Sequence, residues 1–289
     1  MEFDYVTLPN GLQLHYLWWE GKAPSVLLVH GLASNAKMYQ GVGQTLHKSG
    51  LKVVSLDQRG HGKSDKPEAG YDYETLVSDI HEFLILMREK GRLTKKILLV
   101  GQSFGCSVVE NYALRYPQDV TGLVLIDGGY RSLKLDFPAW DECAAALAPP
   151  NFQNQSFKSL SNILTNHLSE FPDSAREGFM ANFHEDEEGF ANSNLPRHLH
   201  MVILHELWKQ VPEVIVPKLR VPFVFITALN SNGHSSSIKK SAIAELRRNA
   251  NVDSAEYWIV GHHDLHAQHP IEVSEIIMQE MTKGAFAKS

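Results

Sequence analysis

The stretch "ILLVGQSFGCSVVENYALRYP", residues 97–117, decides how this chain is interpreted. It begins with four apolar residues typical of a buried strand, and the pattern after Phe104 is typical of a helix. Between them, the segment Gly101–Gly105 fits the G-x-S-x-G motif, in which a tight turn lifts a serine over the end of a sheet. Five-residue matches occur by chance, but the strand before this one and the helix after it are the context that the motif requires. The sequence therefore predicts that Ser103 is a nucleophile.

Strands and helices alternate on both sides of this motif. Two alternating runs joined through Asn10-Gly11 predict a tight β-hairpin near the N-terminus. Short apolar runs typical of strands, separated by helical patterns, then follow at residues 25–31, 51–57, 96–101, 121–129, 221–228 and 256–261. Strands that are buried on both faces and separated by helices predict a mostly parallel sheet flanked by helices, with the hairpin at one edge.

The alternation breaks between the predicted sixth strand and the seventh. Seven prolines and several helical fragments occupy this region, and no strand is predicted between the fragments "SAREGFMANF" and "RHLHMVILHELWKQ". Long insertions between sheet strands are typical of active-site lids. We therefore expect an α/β core formed by residues 1–129 and 218–289, interrupted by a helical cap at residues 130–217.

Composition narrows the possible partners and the compartment. The net charge is −6 and Lys and Arg form no long block, which argues against nucleic acid and anionic membranes as partners. Cys106 and Cys143 have no spacing typical of a zinc or redox motif, which favours free thiols in a reducing compartment. No apolar run approaches the ~18 residues of a membrane span, and the first residues do not resemble a signal peptide. We expect a cytoplasmic protein.

Four further motifs follow the same order along the chain as in a known superfamily. They are "VLLVHGLASN", "SLDQRGHGKSD", "LVLIDGG" and "WIVGHHDLHAQHP". Together with the turn at Ser103, they resemble the α/β-hydrolase superfamily over nearly the whole chain. The resemblance implies an α/β-hydrolase fold of the serine-nucleophile branch, with the cap inserted after the sixth strand. It implies no cofactor and no metal.

A serine nucleophile needs two hydrogen-bond donors for the oxyanion that forms when it attacks a carbonyl group. Losing one donor raises the barrier by about 3 kcal/mol. One donor is expected to be the N–H of Phe104, the residue after the serine. By resemblance to families with His-Gly-X after the third strand, the other is the N–H of Leu32. The other interpretation of His30-Gly31 is an ordinary turn at the end of a strand.

The serine also needs a histidine base within hydrogen-bond reach. In the superfamily this histidine commonly lies two residues after a glycine and seven before a proline. From Gly261 and Pro270 both counts lead to His263, with His262 as the reserve candidate. A zinc cluster is the rival interpretation of this segment, but its four histidines form no recognised ligand set. The four are His262, His263, His266 and His269.

The acid of the triad departs from the commonest pattern. The loop "LNSNGHSSS" after the seventh predicted strand of the sheet contains no Asp or Glu. There, Asn230 or Asn232 offers a hydrogen bond but no charge. In haloalkane dehalogenases and pancreatic lipase the acid ends the strand after the serine helix, a position that Asp127 occupies here. Asp127 is the favoured acid, and the alternative is that it only caps backbone N–H groups in a turn.

These residues together predict a serine hydrolase with the triad Ser103, His263 and Asp127. Several aromatic residues of the predicted cap favour a small or medium apolar carboxylic ester as substrate. One alternative is hydrolysis of a carbon–carbon bond or a lactone by the same triad. Another is a weakly active or inactive ligand-binding or signalling homologue, an alternative kept open by the acid-free loop.

Overall fold

An eight-stranded sheet places Ser103, Asp127 and His263 after the carboxyl ends of three of its strands. The computed structural model describes residues 1–151, 155–229 and 233–287. Neighbouring strands follow the order β1-β2-β4-β3-β5-β6-β9-β10, antiparallel for β1-β2-β4 and parallel elsewhere. The bounds are β1 Glu2–Thr7, β2 Gln13–Trp19, β3 Lys22–Val29, β4 Leu51–Leu56, β5 Ile97–Gln102, β6 Val120–Ile126, β9 Phe223–Leu229 and β10 Ser254–Val260.

The hairpin predicted at the N-terminus forms, with a connection that spans residues 8–12. Leu8 N donates to Leu12 O over 2.8 Å, and Gly11 has a φ of +87°, which glycine adopts readily. The side chains of Leu8 and Leu12 are buried and belong to the core. The connection is therefore longer than a two-residue turn because both leucines pack beneath the sheet.

Eleven α-helices lie within the described residues, and those of the core cover both faces of the sheet. They are α1 Gln40–Lys48, α2 Tyr73–Glu89, α3 Phe104–Arg115, α4 Trp140–Leu147, α5 Phe157–His167, α6 Asp173–Met180, α7 Arg197–Lys209, α8 Pro212–Ile215, α9 Gly233–Asn249, α10 Leu265–Gln268 and α11 Pro270–Thr282. On β3, Val26 and Leu28 pack with α1 and α11, whereas Leu27 and Val29 pack with α2 and α3. Successive strand residues point to opposite faces, so the apolar runs mark strands buried on both sides.

The segment from residue 130 to 217 contains α4 to α8 and also a small sheet. Strands β7 Phe183–Glu185 and β8 Ala191–Ser193 pair antiparallel between α6 and α7. The prediction that no strand lies between these helices is therefore wrong. The turn is built by Asp186, whose Oδ1 accepts from the N–H groups of Glu188 and Phe190. Three-residue strands are too short to show the alternating apolar pattern on which the sequence prediction relied.

Candidate active site

Ser103 lies on the sharp turn between β5 and α3. Its φ of +53° and ψ of −117° are a conformation that non-glycine residues adopt at a cost of about 1–3 kcal/mol. The two glycines make this turn possible: a Cβ on Gly101 would lie 2.4 Å from Gly105 O, and one on Gly105 would lie 2.3 Å from Val29 O. Strained conformations of this kind cluster at active sites, so the backbone agrees with the predicted nucleophile turn.

His263 and Asp127 come together although 136 residues separate them. His263 lies between β10 and α10, and its Nδ1 is 2.7 Å from Asp127 Oδ2. Asp127 follows directly after β6 with a φ of +42° and is almost fully buried. An ionised carboxylate only accepts hydrogen bonds, so Nδ1 carries the proton and donates it. The remaining ring nitrogen, Nε2, is therefore the acceptor in the neutral imidazole.

The second oxygen of the Asp127 carboxylate is also occupied. Asp127 Oδ1 accepts from Ala228 N over 3.1 Å and from Lys239 Nζ over 2.8 Å. Lys239 lies on α9 and donates additionally to Ala228 O over 3.2 Å. The acid thus joins a lysine, a strand N–H and the histidine in one network. Lys239 is not predictable from the sequence, because no motif marks a helical lysine 112 residues after its partner.

Burial and charge act in opposite directions on this pair. Burial alone raises the pKa of the Asp127 carboxyl, but the hydrogen bonds and charges of His263 and Lys239 outweigh it and lower that pKa. For His263, burial lowers the pKa of the imidazole, and the hydrogen bond and charge of Asp127 more than offset this, so the pKa is raised. Lys239 acts against that increase. The aspartate is therefore held ionised beside a strengthened base.

Ser103 and His263 line the same cavity, which has a volume of about 430 Å³. Gln102 Nε2 donates to His263 O over 3.3 Å and so ties the histidine loop to the serine turn. Among the described residues, Ser103 Oγ and His263 make no direct hydrogen bond. Catalytic hydrogen bonds are often long or poorly aligned without substrate, so the missing bond does not remove His263 as the candidate base.

The loop after β3 passes directly beside Ser103. A Cβ on Gly31 would lie 3.2 Å from the Ser103 Cβ. His30 is fully buried; its Nδ1 donates to Gly31 O over 2.7 Å, and its Nε2 accepts from Gln58 N over 3.2 Å. In a trans peptide the carbonyl and the next N–H point in opposite directions. Fixing Gly31 O therefore also fixes the direction of the Leu32 N–H, the predicted second oxyanion donor.

The first predicted oxyanion donor belongs to the first residue of α3. The N–H of Phe104 is one of the initial N–H groups of a helix, which have no partner within the helix and carry the positive end of its dipole. The Phe104 side chain is buried in the core, which fixes the backbone at this position. The roles of Leu32 and Phe104 as oxyanion donors stay predictions.

The other histidines of the C-terminal loop lie in different surroundings. His262 is exposed, its ring lies 5.4 Å from that of Phe171, and it is not among the described residues that line the cavity. His266 is fully buried against Tyr39, and burial lowers its pKa to about 3. Of the histidines in this loop, His263 alone is among the cavity-lining residues. Asn230 and Asn232 lie outside the described residues.

Across residues 1–151, 155–229 and 233–287, no group of three or more His, Cys, Asp or Glu side chains is arranged to hold a metal ion. No helix in the same ranges is both long enough and apolar enough to cross a bilayer. Cys106 and Cys143 are both buried and free.

The arrangement of this sheet, with a strained serine turn after its fifth strand, defines an α/β-hydrolase fold, and solved structures share it. The crystal structure of E-2-(acetamidomethylene)succinate hydrolase aligns with 100% of this chain and 99% of its own, at a TM-score of 0.77 and 20% identity. A bromoperoxidase from Bacillus anthracis aligns over 100% of both chains, at a TM-score of 0.71 and 20% identity. At this identity the likeness concerns the fold alone.

Sequence comparisons identify the family. A family model described as serine aminopeptidase, S33, matches residues 22–180, more than half of the 289 residues. The chain belongs to this family of the α/β-hydrolase superfamily.

Curated relatives match shorter segments of the chain. The 2-(acetamidomethylene)succinate hydrolase of Mesorhizobium japonicum is 35% identical over 108 residues, which is 37% of either chain. A bifunctional esterase/perhydrolase of Acinetobacter calcoaceticus is 26% identical over 160 residues, or 55% of this chain and 56% of the relative. In the first curated relatives the match spans only 30–38% of their length.

Proposed function

We propose that this protein is a serine hydrolase that cleaves small or medium apolar carboxylic esters through Ser103, His263 and Asp127. One observation carries the proposal: the hydrogen bond from His263 Nδ1 to the buried Asp127 holds an imidazole that lines the same cavity as Ser103. The bond fixes both the ring and its tautomer, which is the role of the acid in serine hydrolases. The hydrolases and esterases among the similar proteins support the reaction class.

The proposed reaction has two stages. His263 Nε2 accepts the proton of Ser103 while Oγ attacks the ester carbonyl carbon, and the N–H groups of Leu32 and Phe104 stabilise the oxyanion. Collapse of this intermediate breaks the bond to the alkoxy group, which leaves as an alcohol with the proton from His263. Water, deprotonated by the same histidine, then attacks the acyl-enzyme and releases the acid and the free serine. The cycle uses no cofactor and no metal.

The cavity suits a ligand of modest size. Its volume of about 430 Å³ is at the lower end of the range of small-molecule sites. Both parts of the chain contribute to the lining: Ile238 and the triad residues come from the proposed core, and Leu133, Leu207 and Pro212 come from residues 130–217. We therefore propose that residues 130–217 form a cap that covers the site. The two free thiols favour a reducing compartment such as the cytoplasm.

A fluorophosphonate probe tests the nucleophile. The wild-type protein is expected to be labelled and to hydrolyse p-nitrophenyl esters of short and medium acyl chains. Ser103→Ala removes the attacking oxygen and should abolish labelling and lower kcat/KM by at least about 10⁴-fold. The matched control is Ser161→Ala, on α5 and outside the cavity lining, which should retain both properties.

Two outcomes would contradict the proposal. Absence of labelling in the well-folded wild-type protein would favour a ligand-binding homologue. Labelling of Ser103 with turnover of lactones or carbon–carbon bonds, but not of simple esters, would retain the triad and replace the substrate class.

A further inference from the structure

One wall of the cavity, where α3 passes it, is polar. Ser107 lies one helical turn after Ser103 and lines the cavity, and Gln210, between α7 and α8, lines it as well. Glu110 is nearly one further turn along α3. A Cβ on Gly129, which is also a lining residue, would lie 2.1 Å from Glu110 Oε1, so this carboxyl group lies directly behind the lining. We call Ser107, Glu110 and Gln210 the polar wall.

The polar wall contains buried groups that lack partners. Glu110 is 0% exposed and Gln210 is 6% exposed. Within the described part of the chain, the two carboxyl oxygens of Glu110 make no hydrogen bond of normal geometry, and neither does Gln210 Nε2. Natural proteins rarely leave buried donors and acceptors unpaired, and each such group calls for an explanation. Packing does not supply one here, because an apolar side chain would fill either position without leaving such groups unpaired.

The charge state of the polar wall selects what it binds. Burial raises the pKa of Glu110 well above its ordinary value, and the nearby Glu213 raises it further. The neighbouring amide of Gln210 lowers the pKa of Glu110 to a smaller extent. A protonated Glu110 donates through its O–H, Gln210 donates through its NH₂ and Ser107 donates through its hydroxyl. The two donors at the cavity lining, Ser107 and Gln210, together match an oxygen acceptor, and a neutral Glu110 lies behind them.

Charged groups fit this wall poorly. A carboxylate on the substrate would lie near Glu213, the same acidic neighbour that raises the pKa of Glu110, and an ammonium group would lose its hydration against side chains that present N–H and O–H donors. A neutral oxygen gains hydrogen bonds without either cost. The separation from the reacting carbonyl is set by α3: one turn from Ser103 to Ser107 is about 6 Å.

We infer that the substrate carries a neutral oxygen acceptor, a keto or hydroxyl group, about one helical turn from the carbonyl that Ser103 attacks, and that the polar wall binds it. This inference rests on the proposed function, since it names the substrate class of the same site. Gln210 and Ser107 contact the substrate, and Glu110 is a positioning residue behind them. Within the proposed class of small or medium esters, we therefore expect one that carries an oxygen on an otherwise apolar acyl chain.

Matched ester pairs test this specificity. p-Nitrophenyl 5-oxohexanoate and p-nitrophenyl hexanoate differ by one keto oxygen at the required distance, and the 6-aminohexanoate ester and a monoester of adipate add either charge. The wild-type protein should prefer the keto ester over the hexanoate about tenfold in kcat/KM, the effect of one well-placed hydrogen bond, and should disfavour both charged esters. Gln210→Met should abolish the preference, Ser107→Ala should reduce it, and Glu110→Gln should retain most of it.

Controls separate this inference from the proposed function. Gln279→Met makes the same substitution on the exposed surface of α11 and should keep the tenfold preference. Binding without turnover is measured on Ser103→Ala by NMR titration with N-methyl-5-oxohexanamide and N-methylhexanamide, and the keto amide should bind about tenfold more tightly. If esters are not hydrolysed but the keto amide binds more tightly, the proposed reaction is wrong and the inference about the polar wall is retained. Equal binding and equal turnover of the keto and alkyl compounds, or preference for a charged one, overturns the inference.

Discussion

Two histidine–aspartate pairs in this protein share the same bond but have different surroundings. Nδ1 of His15 lies 2.7 Å from Asp57 Oδ2, and Nδ1 of His263 lies 2.7 Å from Asp127 Oδ2. The side chain of His15, on β2, is only 6% exposed, and its Nε2 is buried without a partner among the described residues. The side chain of His263 is 53% exposed and lines the cavity that also contains Ser103.

The carboxylates differ in the same way. Asp57 also accepts from Ala36 N over 2.6 Å and Lys63 N over 3.0 Å, so it ties together the loops after β3 and β4. Asp127 accepts from the charged side chain of Lys239 in addition to Ala228 N. Both carboxyl groups have a lowered pKa despite their burial. A histidine–aspartate bond therefore does not by itself define a base, which also needs an accessible ring beside a nucleophile.

Removing each histidine in turn gives the largest expected difference between the pairs. His263→Ala should lower kcat/KM for p-nitrophenyl esters by about 10⁴–10⁶-fold, because no other group takes the proton of Ser103. His15→Ala should leave kcat/KM within about tenfold and lower the free energy of unfolding by about 3 kcal/mol, because Asp57 loses a buried partner. Ester kinetics and urea denaturation measure the two effects. A well-folded His15→Ala protein without activity would show that the two pairs are not functionally distinct.

Substituting the two aspartates should show the same difference between the pairs, but with a smaller loss of activity than substitution of His263. Asp127→Asn keeps the shape but removes the charge that stabilises the imidazolium and fixes the tautomer, so kcat/KM should fall about 10³–10⁴-fold. Asp57→Asn should mainly lower the urea midpoint. Asn230→Ala is the control for the other proposed acid position and should retain near-full activity. Near-full activity in Asp127→Asn, measured with the same esters, would remove Asp127 from the triad.

Part of this arrangement follows from sequence because it depends on local patterns. The turn at Ser103 is encoded by two glycines at fixed spacing between a strand and a helix. Asp127 ends a recognisable strand, and the carboxyl ends of parallel strands meet at one edge of a sheet. The spacing from Gly261 and Pro270 predicts His263, but this spacing is a property of the family resemblance and not of local physics.

The remaining features depend on contacts between distant parts of the chain. His15 and Asp57 are 42 residues apart, and nothing in either strand distinguishes their pairing from that of His263 with Asp127. Lys239 follows an acid-free loop in an ordinary helical pattern, and its contact with Asp127 arises only when α9 packs beside β9. Gln210 and Glu110 meet through the packing of residues 130–217 on α3. Side-chain pairing at such distances is set by tertiary packing, which periodicity does not encode.

Substitution of Lys239 gives the smallest expected effect, because it changes the pKa of His263 without removing the imidazole. His263 must be neutral to accept a proton, so kcat/KM falls as pH decreases through its pKa, which Asp127 raises above the ordinary value. The charged groups that influence this pKa are Asp127 and Asp264, which raise it, and Lys239, which lowers it.

Lys239→Met removes the positive charge, so the pKa of His263 should rise further. The acidic limb of the kcat/KM profile should therefore move to higher pH, and kcat/KM at neutral pH should fall by less than about tenfold. Lys239→Arg keeps the charge and should leave the limb near its wild-type position, whereas Asp127→Asn should move it to lower pH because the raising influence is lost. Profiles of ester hydrolysis between pH 5 and 9 measure all three. If the acidic limb of Lys239→Met stays in place or moves to lower pH, Lys239 positions the Asp127 carboxylate and does not alter the pKa of His263. Lys239→Met should then lower the free energy of unfolding, as is expected for His15→Ala.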